Sequence, residues 1–201
     1  MKYEWKKQEK ELYLPRAEPQ IITVPKQKFF AIKGKGNPNE ADFSERIEVL
    51  YSLAYAVRMM PKYGFTPEGY FEYTVYPLEG VWNSENDADK SSFIYTIMIR
   101  QPEFVTDEIA AKAIENTGKK KLHRFLSEAF FGEMEDGLSV QMMHIGDYDK
   151  EPLSFAEMKK FMDKNGLARS TDTHREIYMS DPRTVEKDKL KTVLRYSVSK
   201  V

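Results

Sequence analysis

A chain of 201 residues is long enough to bury a real core, and 41% hydrophobic with 31% charged residues describes a globular protein rather than a disordered one. Its 31 basic and 32 acidic residues nearly cancel, so no broad positive field draws a phosphate backbone and nucleic acid is not expected as a partner. The absence of cysteine removes disulfides and thiolate chemistry, and His123, His144 and His174 have no metal-ligand spacing, so neither a metal nor another cofactor is expected.

The stretch from Met1 to Pro19 is charged, contains Pro15 and Pro19 and shows no period, which predicts a surface arm over residues 1–20 with Trp5 as its anchor. Its charge sits where a signal peptide would need an apolar run. No window of the chain reaches the roughly 18 apolar residues that cross a bilayer, so a cytoplasmic protein away from membranes is expected. Residues 21–33 (IITVPKQKFFAIK) read as strand, interrupted at Pro25 and ended by Gly34 and Gly36. Phe43, Ile47, Leu50, Ala54 and Val57 recur at spacings of three and four, predicting a helix over 41–60 that Pro61 stops. Residues 70–76 and 92–100 read as an antiparallel strand pair across the polar loop NSENDADKSS. Thr106 is placed to cap a second helix, with acids in its first turn and a stop near Gly118, and Lys119–Lys121 reads as solvated linker. Strands over 129–134 and 138–145 follow, joined by a Glu-Asp-Gly turn. After Pro152 a helix carries Phe155, Met158, Phe161 and Met162 to a stop near Gly166, and strands over 173–179 and 190–198 complete the chain.

The element order β, α, β, β occurs twice, over Phe29–Arg100 and Leu138–Val198. Gly34 and Gly146, Phe43 and Phe155, and Glu45 and Glu157 are each 112 residues apart. The expected fold is α+β: one domain over 21–201 made of duplicated βαββ units, 21–104 and 138–201, joined by a helix and strand over 105–137. An antiparallel sheet with helices packed on it follows from that order.

The aromatic content, 12 Tyr, 12 Phe and 2 Trp, suits either a core or a pocket for flat or cationic molecules. Two carboxylates sit inside apolar strand patterns, Glu72 in YFEYTVY and Glu176 in HREIYMS, at equivalent places in the two halves. Alternation puts His174, Glu176 and Tyr178 on one face, and Tyr73 on the face opposite Glu72. A carboxylate among rings is costly to desolvate unless it is paired, bound to a cation or raised in pKa, and the last makes it a base near neutral pH. On a wet sheet face the same residue would simply pair with lysine or arginine. Tyr51 and Tyr55, four apart on the first helix, are either core or cavity wall, and Trp82 is either a core plug or a ligand platform. Tyr95 joins these aromatic candidates. His144 is a general base on its ordinary pKa or a hydrogen-bonded structural histidine.

The strings YFEYTVYPLEGVW, QMMHIGDYDKEPLSF and HREIYMSDP, set in two βαββ halves, resemble the GyrI-like small-molecule-binding domain over residues 21–198, in particular its stand-alone bacterial branch. The resemblance implies a pseudo-twofold domain with a ligand cavity between the halves and a small molecule as partner, and it leaves the oligomeric state open. Related domains sense drugs in multidrug-responsive regulators, where a buried glutamate in the last half meets cationic aromatic drugs; Glu176 matches that position. The first twenty residues hold no helix-turn-helix, so a sensor fused to DNA binding is not expected. Stand-alone members resemble hydrolases that open the cyclopropane of alkylating genotoxins, which implies Glu176 as the base with Trp82, Tyr55 and Tyr73 positioning the substrate. The family's namesake acts on DNA gyrase, and no residue here marks a surface for that. The expectation is therefore a cofactor-free hydrolase, with a non-catalytic binder of cationic aromatic drugs as the alternative.

Overall fold

The computed structural model describes residues 2–83 and 89–201, so the middle of the predicted loop NSENDADKSS, residues 84–88, lies outside the described residues. In chain order the elements are α1 (Trp5–Gln8), α2 (Lys10–Tyr13), β1 (Gln20–Val24), β2 (Gln27–Lys35), α3 (Ala41–Arg58), β3 (Leu78–Asn83), β4 (Ile94–Gln101) and α4 (Asp107–Lys120). They continue with β5 (Phe130–Met134), β6 (Gly137–Ile145), α5 (Glu151–Lys164), β7 (Leu167–Arg169), β8 (His174–Tyr178) and β9 (Lys191–Lys200). The chain is α+β. It forms two compact units, one of Met1–Glu4, Gln27–Leu78 and Asn83–Met134, the other of Trp5–Lys26, Glu79–Trp82 and Glu135–Val201.

In the first unit β2 pairs antiparallel with β4 on one side and β5 on the other. Phe29, Phe30, Ala31 and Ile32 are all buried, because a central strand covered on both faces is apolar without alternation. The face that α3 buries is Val49, Leu50, Leu53, Ala54 and Val57. Phe43 and Ile47, predicted for that face, are only half-buried. The helix ends at Arg58, and Pro61 follows in a turn of 3₁₀ helix over Met60–Tyr63. The Thr106 hydroxyl accepts from the Ile109 amide at 3.3 Å and caps α4, a contact worth about 1 kcal/mol. That helix runs through Gly118 to Lys120, two residues past the predicted stop.

Residues 70–76 are not a strand. The N-terminus and an arginine bond to its backbone: Tyr3 N–H donates to the Glu72 carbonyl at 2.6 Å, Thr74 N–H donates to the Tyr3 carbonyl at 2.9 Å, and Arg58 Nε–H donates to the Tyr73 carbonyl at 2.6 Å. Alternation reports the face a side chain takes; it does not report whether a neighbouring strand is available. The strand in this part of the chain is β3, displaced beyond Pro77.

In the second unit the strands lie in the order β1-β6-β9-β8-β3, each antiparallel to its neighbours, with β7 on β9. Helix α5 covers one face of this sheet, where Met158 and Met162 pack with Val140, Met142, Leu194, Tyr196 and Val198. Each such side chain contributes roughly 1.5–3 kcal/mol on burial. The segment expected as a surface arm lies on the opposite face. Glu11, Leu12 and Arg16 offer their carbonyls to Gln141, Arg195 and the Met143 amide, and Gln20 begins β1. Trp5 is buried against Tyr13 with ring centroids 4.9 Å apart, the anchor expected of it. Strands β5 and β6, predicted as a hairpin, do not pair with each other: β5 pairs with β2, and β6 with β1 and β9.

The duplicated order is visible in hydrogen bonds, at a different offset from the predicted one. Gly36 N–H donates to the Phe93 carbonyl and Gly146 N–H to the Leu190 carbonyl, each at 2.9 Å. Both glycines have positive φ, 123° and 137°, and follow β2 and β6. They are 110 residues apart, so in this feature the counterpart of Gly146 is Gly36 rather than Gly34. Among the described residues no helix is long and apolar enough to cross a membrane.

Candidate functional site

The pairing of β3 with β8 sets Gly80 opposite Glu176 and Trp82 opposite His174. Opposed residues of an antiparallel pair point to the same face, so Gly80, Trp82, His174, Glu176 and Tyr178 share the face of the second unit on which α5 packs. Tyr178 O–H donates to Glu176 Oε2 at 2.7 Å and His174 Nε2 lies 2.9 Å from Oε1. A carboxylate only accepts, so His174 presents Nε2–H to it. Trp82 Nε1–H in turn donates to the Tyr178 oxygen at 2.9 Å. Glu176 is buried, at 8% exposure.

Reaching Tyr178 requires Trp82 to fold back along β3 over Gly80. A Cβ at position 80 would stand 2.5 Å from Trp82 Nε1. Gly80→Ala is therefore expected to push the indole off Tyr178 and shift one of the two tryptophan Nε1–H resonances in a nitrogen–proton spectrum. The Trp5 resonance should stay in place; two unmoved resonances would refute this account of Gly80.

Around this chain of donors lie rings and a second acid. Tyr148 meets Tyr178 edge-on at 6.2 Å, and Phe155 of α5 meets His174 edge-on at 4.8 Å. Glu151, the first residue of α5, is buried beside Glu176. Burial, followed by the charge of Glu176 and a hydrogen bond with it, pushes the Glu151 carboxyl far above the usual carboxylate range, so it carries a proton at neutral pH. The helix dipole favours an anion at that end, by about 0.3–1 kcal/mol at most exposed sites, and is outweighed. Burial and the neighbouring Glu176 likewise raise the Tyr178 hydroxyl well above its ordinary value. Tyr148 is pushed up to about 12, by burial first and then by Glu151 and Glu176. Both phenols stay protonated.

Of the residues singled out from the sequence, Glu176, Tyr178 and Trp82 are thus joined by direct hydrogen bonds. His144 ends β6 with both ring nitrogens taken: Nε2–H donates to the Asp147 carbonyl at 3.1 Å, which leaves Nδ1 to accept from Ser154 Oγ at 2.9 Å. It fastens the first turn of α5, where Glu151 sits, to the preceding turn. Tyr51, Tyr55, Tyr73 and Tyr95 belong to the first unit. Tyr55 is 53% exposed and Tyr51 half-buried on α3. Tyr73 is fully buried among Phe71, Tyr76 and Phe104, and burial raises its hydroxyl strongly. Tyr95 is buried edge-on to Phe43 at 5.0 Å.

Glu72 is not the counterpart of Glu176. Without a strand over 70–76 it is solvent-facing, and Arg58 pairs with it at 2.6 Å. Glu151 and Tyr148 were missed by sequence reasoning. Their signal was an acid directly before Pro152 at a helix start, inside the string QMMHIGDYDKEPLSF.

Residues 17–197 match the GyrI-like small molecule binding domain. A crystal structure of a hydrolase from Listeria innocua is 37% identical, with a TM-score of 0.92 over 98% of this chain and 100% of that one. A second hydrolase structure from the same organism is 37% identical at 0.94, covering 99% and 100%. An uncharacterized conserved protein from Listeria innocua is 40% identical at 0.92, covering 98% and 100%. The C-terminal domain of EcmrR, 14% identical at 0.55 over 92% of this chain and 98% of that one, shares the fold. No curated protein matches significantly.

Proposed function

Since this chain belongs to the GyrI-like family of small-molecule-binding domains, we propose that its Glu176 cluster holds a flat, electrophilic organic molecule and hydrolyses it without a cofactor. The observation that carries this reading is a buried carboxyl among aromatic rings whose two oxygens are each held by a donor, Tyr178 and His174. Held donors fix the orientation of the Glu176 carboxyl, so a bound molecule or water meets its oxygens in one direction. The two hydrolases similar along the whole chain support an enzyme over a passive binder.

The proposed substrate is a strained cyclopropane joined to a dienone. Glu176 takes a proton from water while the water oxygen bonds to a cyclopropane carbon. The ring C–C bond breaks, and its electron pair runs into the dienone, whose oxygen gains a proton as the ring becomes a phenol. One water is added overall. Trp82 and Tyr178 supply the rings against which a flat substrate lies.

The test is incubation of purified protein with a cyclopropanoid dienone and product analysis by mass spectrometry. A product heavier by one water is expected, with Glu176→Gln at least about 100-fold slower, as for loss of a general base. An untouched substrate, or full turnover by the variant, overturns the reading. A buried carboxyl beside Trp82 and tyrosine rings also suits a cationic aromatic compound, through charge and ring faces together. Ligand recovered intact, with binding weakened by Glu176→Gln, would put sequestration in place of hydrolysis.

A further inference from the structure

Glu151 is buried at the site and has no task in the hydrolytic step. Its Oε1 is buried without a hydrogen-bond partner, and among the described residues neither it nor Glu176 pairs with a lysine or arginine. It cannot swing away easily: His144 holds the first turn of its helix through Ser154 and the preceding turn through the Asp147 carbonyl, and Ser154 is itself buried. Two carboxyls buried side by side with no lysine or arginine on them, and His174 facing Glu176 alone, oppose a second ionisation, and the arrangement that satisfies them is one proton held by one acid and offered to the other.

We propose that Glu151 and Glu176 work as a single carboxyl pair holding one proton, in which Glu151 is the positioning residue that donates to Glu176 and confines the site's one negative charge to it. The inference rests on the reading of Glu176 as the acceptor of the site. It also names the class of molecule the site takes: a neutral electrophile or a ligand with a single positive charge, because a second cationic centre would face a protonated acid. The groups around the pair that titrate or carry charge are His174 and Tyr178 on β8, Asp147, Tyr148 and Asp149 in the turn before α5, and His144 at the end of β6. Lys187 pairs with Asp147 at 3.3 Å and offsets that charge. The buried position of Glu151 and the field of these acids act together to hold its proton.

Glu151→Gln keeps a donor for Glu176 and removes the titration, whereas Glu151→Ala removes both. With a cyclopropanoid dienone as probe, Glu151→Gln is expected to stay within about threefold of the parent at neutral pH. Glu151→Ala should lose about tenfold or more, the size of a lost hydrogen bond to a charged group. The parent's rate should change through an alkaline ionisation that Glu151→Gln lacks. Infrared spectra read the proton without any turnover: the parent at neutral pH should show a protonated-carboxyl stretch that Glu151→Gln lacks. Should the variant not fold, carbon-13 labelling of glutamate in the parent must reveal one carboxyl titrating far above the others. No acid band in the parent, the same band in Glu151→Gln, or the same alkaline limb in both proteins overturns the pair. A parent that turns nothing over defeats the hydrolytic reading and leaves the spectroscopic result to decide the pair.

Discussion

Arg175→Ala is expected to destabilise the fold by about 3–5 kcal/mol, the range for removing one partner of a buried ion pair. Arg175 alternates with Glu176 on β8 and points to the other face of the sheet. There Nη1 donates to Glu79 Oε2 at 2.8 Å and Nη2 to Asp136 Oδ1 at 2.7 Å. Asp136 also receives Arg195 at 3.1 Å, and Arg195 reaches Gln141 and the Leu12 carbonyl. Glu79 is 1% exposed, so the truncation strands a charge that water cannot reach. Urea unfolding measures the loss. Arg175→Met combined with Glu79→Gln should lose much less than the two single changes summed, because no charge is then left alone. A loss below about 1 kcal/mol for Arg175→Ala would mean these groups are solvated and the account of this face is wrong. The consequence reaches the site, since Glu79 and Gly80 are neighbours on β3, and the strand pair that the ions clamp is the one that carries Trp82 to Tyr178.

Local signals were legible where one element contains its own explanation. The Thr106 cap, the Met158 and Met162 stripe of α5 and the shared face of His174, Glu176 and Tyr178 follow from spacing alone, because cap chemistry and side-chain periodicity act within a few residues. What depends on a distant partner was not legible. Residues 70–76 alternate like a strand, yet Arg58 and Tyr3 take the places a strand would occupy. Arg175 and Glu79 are 96 positions apart and carry no mutual mark in the sequence. Trp82 was recognisable as a ring needing a surface, whereas its route over Gly80 needed the register of β3 on β8. Tyr51 and Tyr55 were selected by ring type and helical spacing and Tyr73 and Tyr95 by ring type, and neither signal separates a core ring such as Tyr73 from an exposed one such as Tyr55.

Glu151→Gln is expected to become progressively more stable than the parent as pH rises. In the unfolded chain the Glu151 carboxyl gives up its proton near the ordinary value of about 4.3, while in the folded protein burial and the adjacent Glu176 hold the proton well above neutrality. Between those limits the folded state binds one proton more than the unfolded state, so the folding equilibrium constant falls about tenfold for each pH unit gained. The stabilisation from this group is complete below the unfolded value and is lost as pH rises toward the folded one. Glutamine does not titrate. Between pH 5 and pH 7 the ratio of the two folding constants should therefore move by about a hundredfold in favour of the variant. Asp147 and Asp181, whose carboxyls are held low by hydrogen-bond partners, act with the opposite sign, but both proteins contain them and they cancel in the comparison. Urea midpoints at pH 5, 6 and 7 supply the test, and parallel curves would show that Glu151 ionises in the folded state. An amide of the same shape at position 151 would spare the protein this loss at neutral pH. A carboxyl kept there at the expense of stability, beside an acceptor already held by two donors, is what a site that handles a proton requires and a core does not.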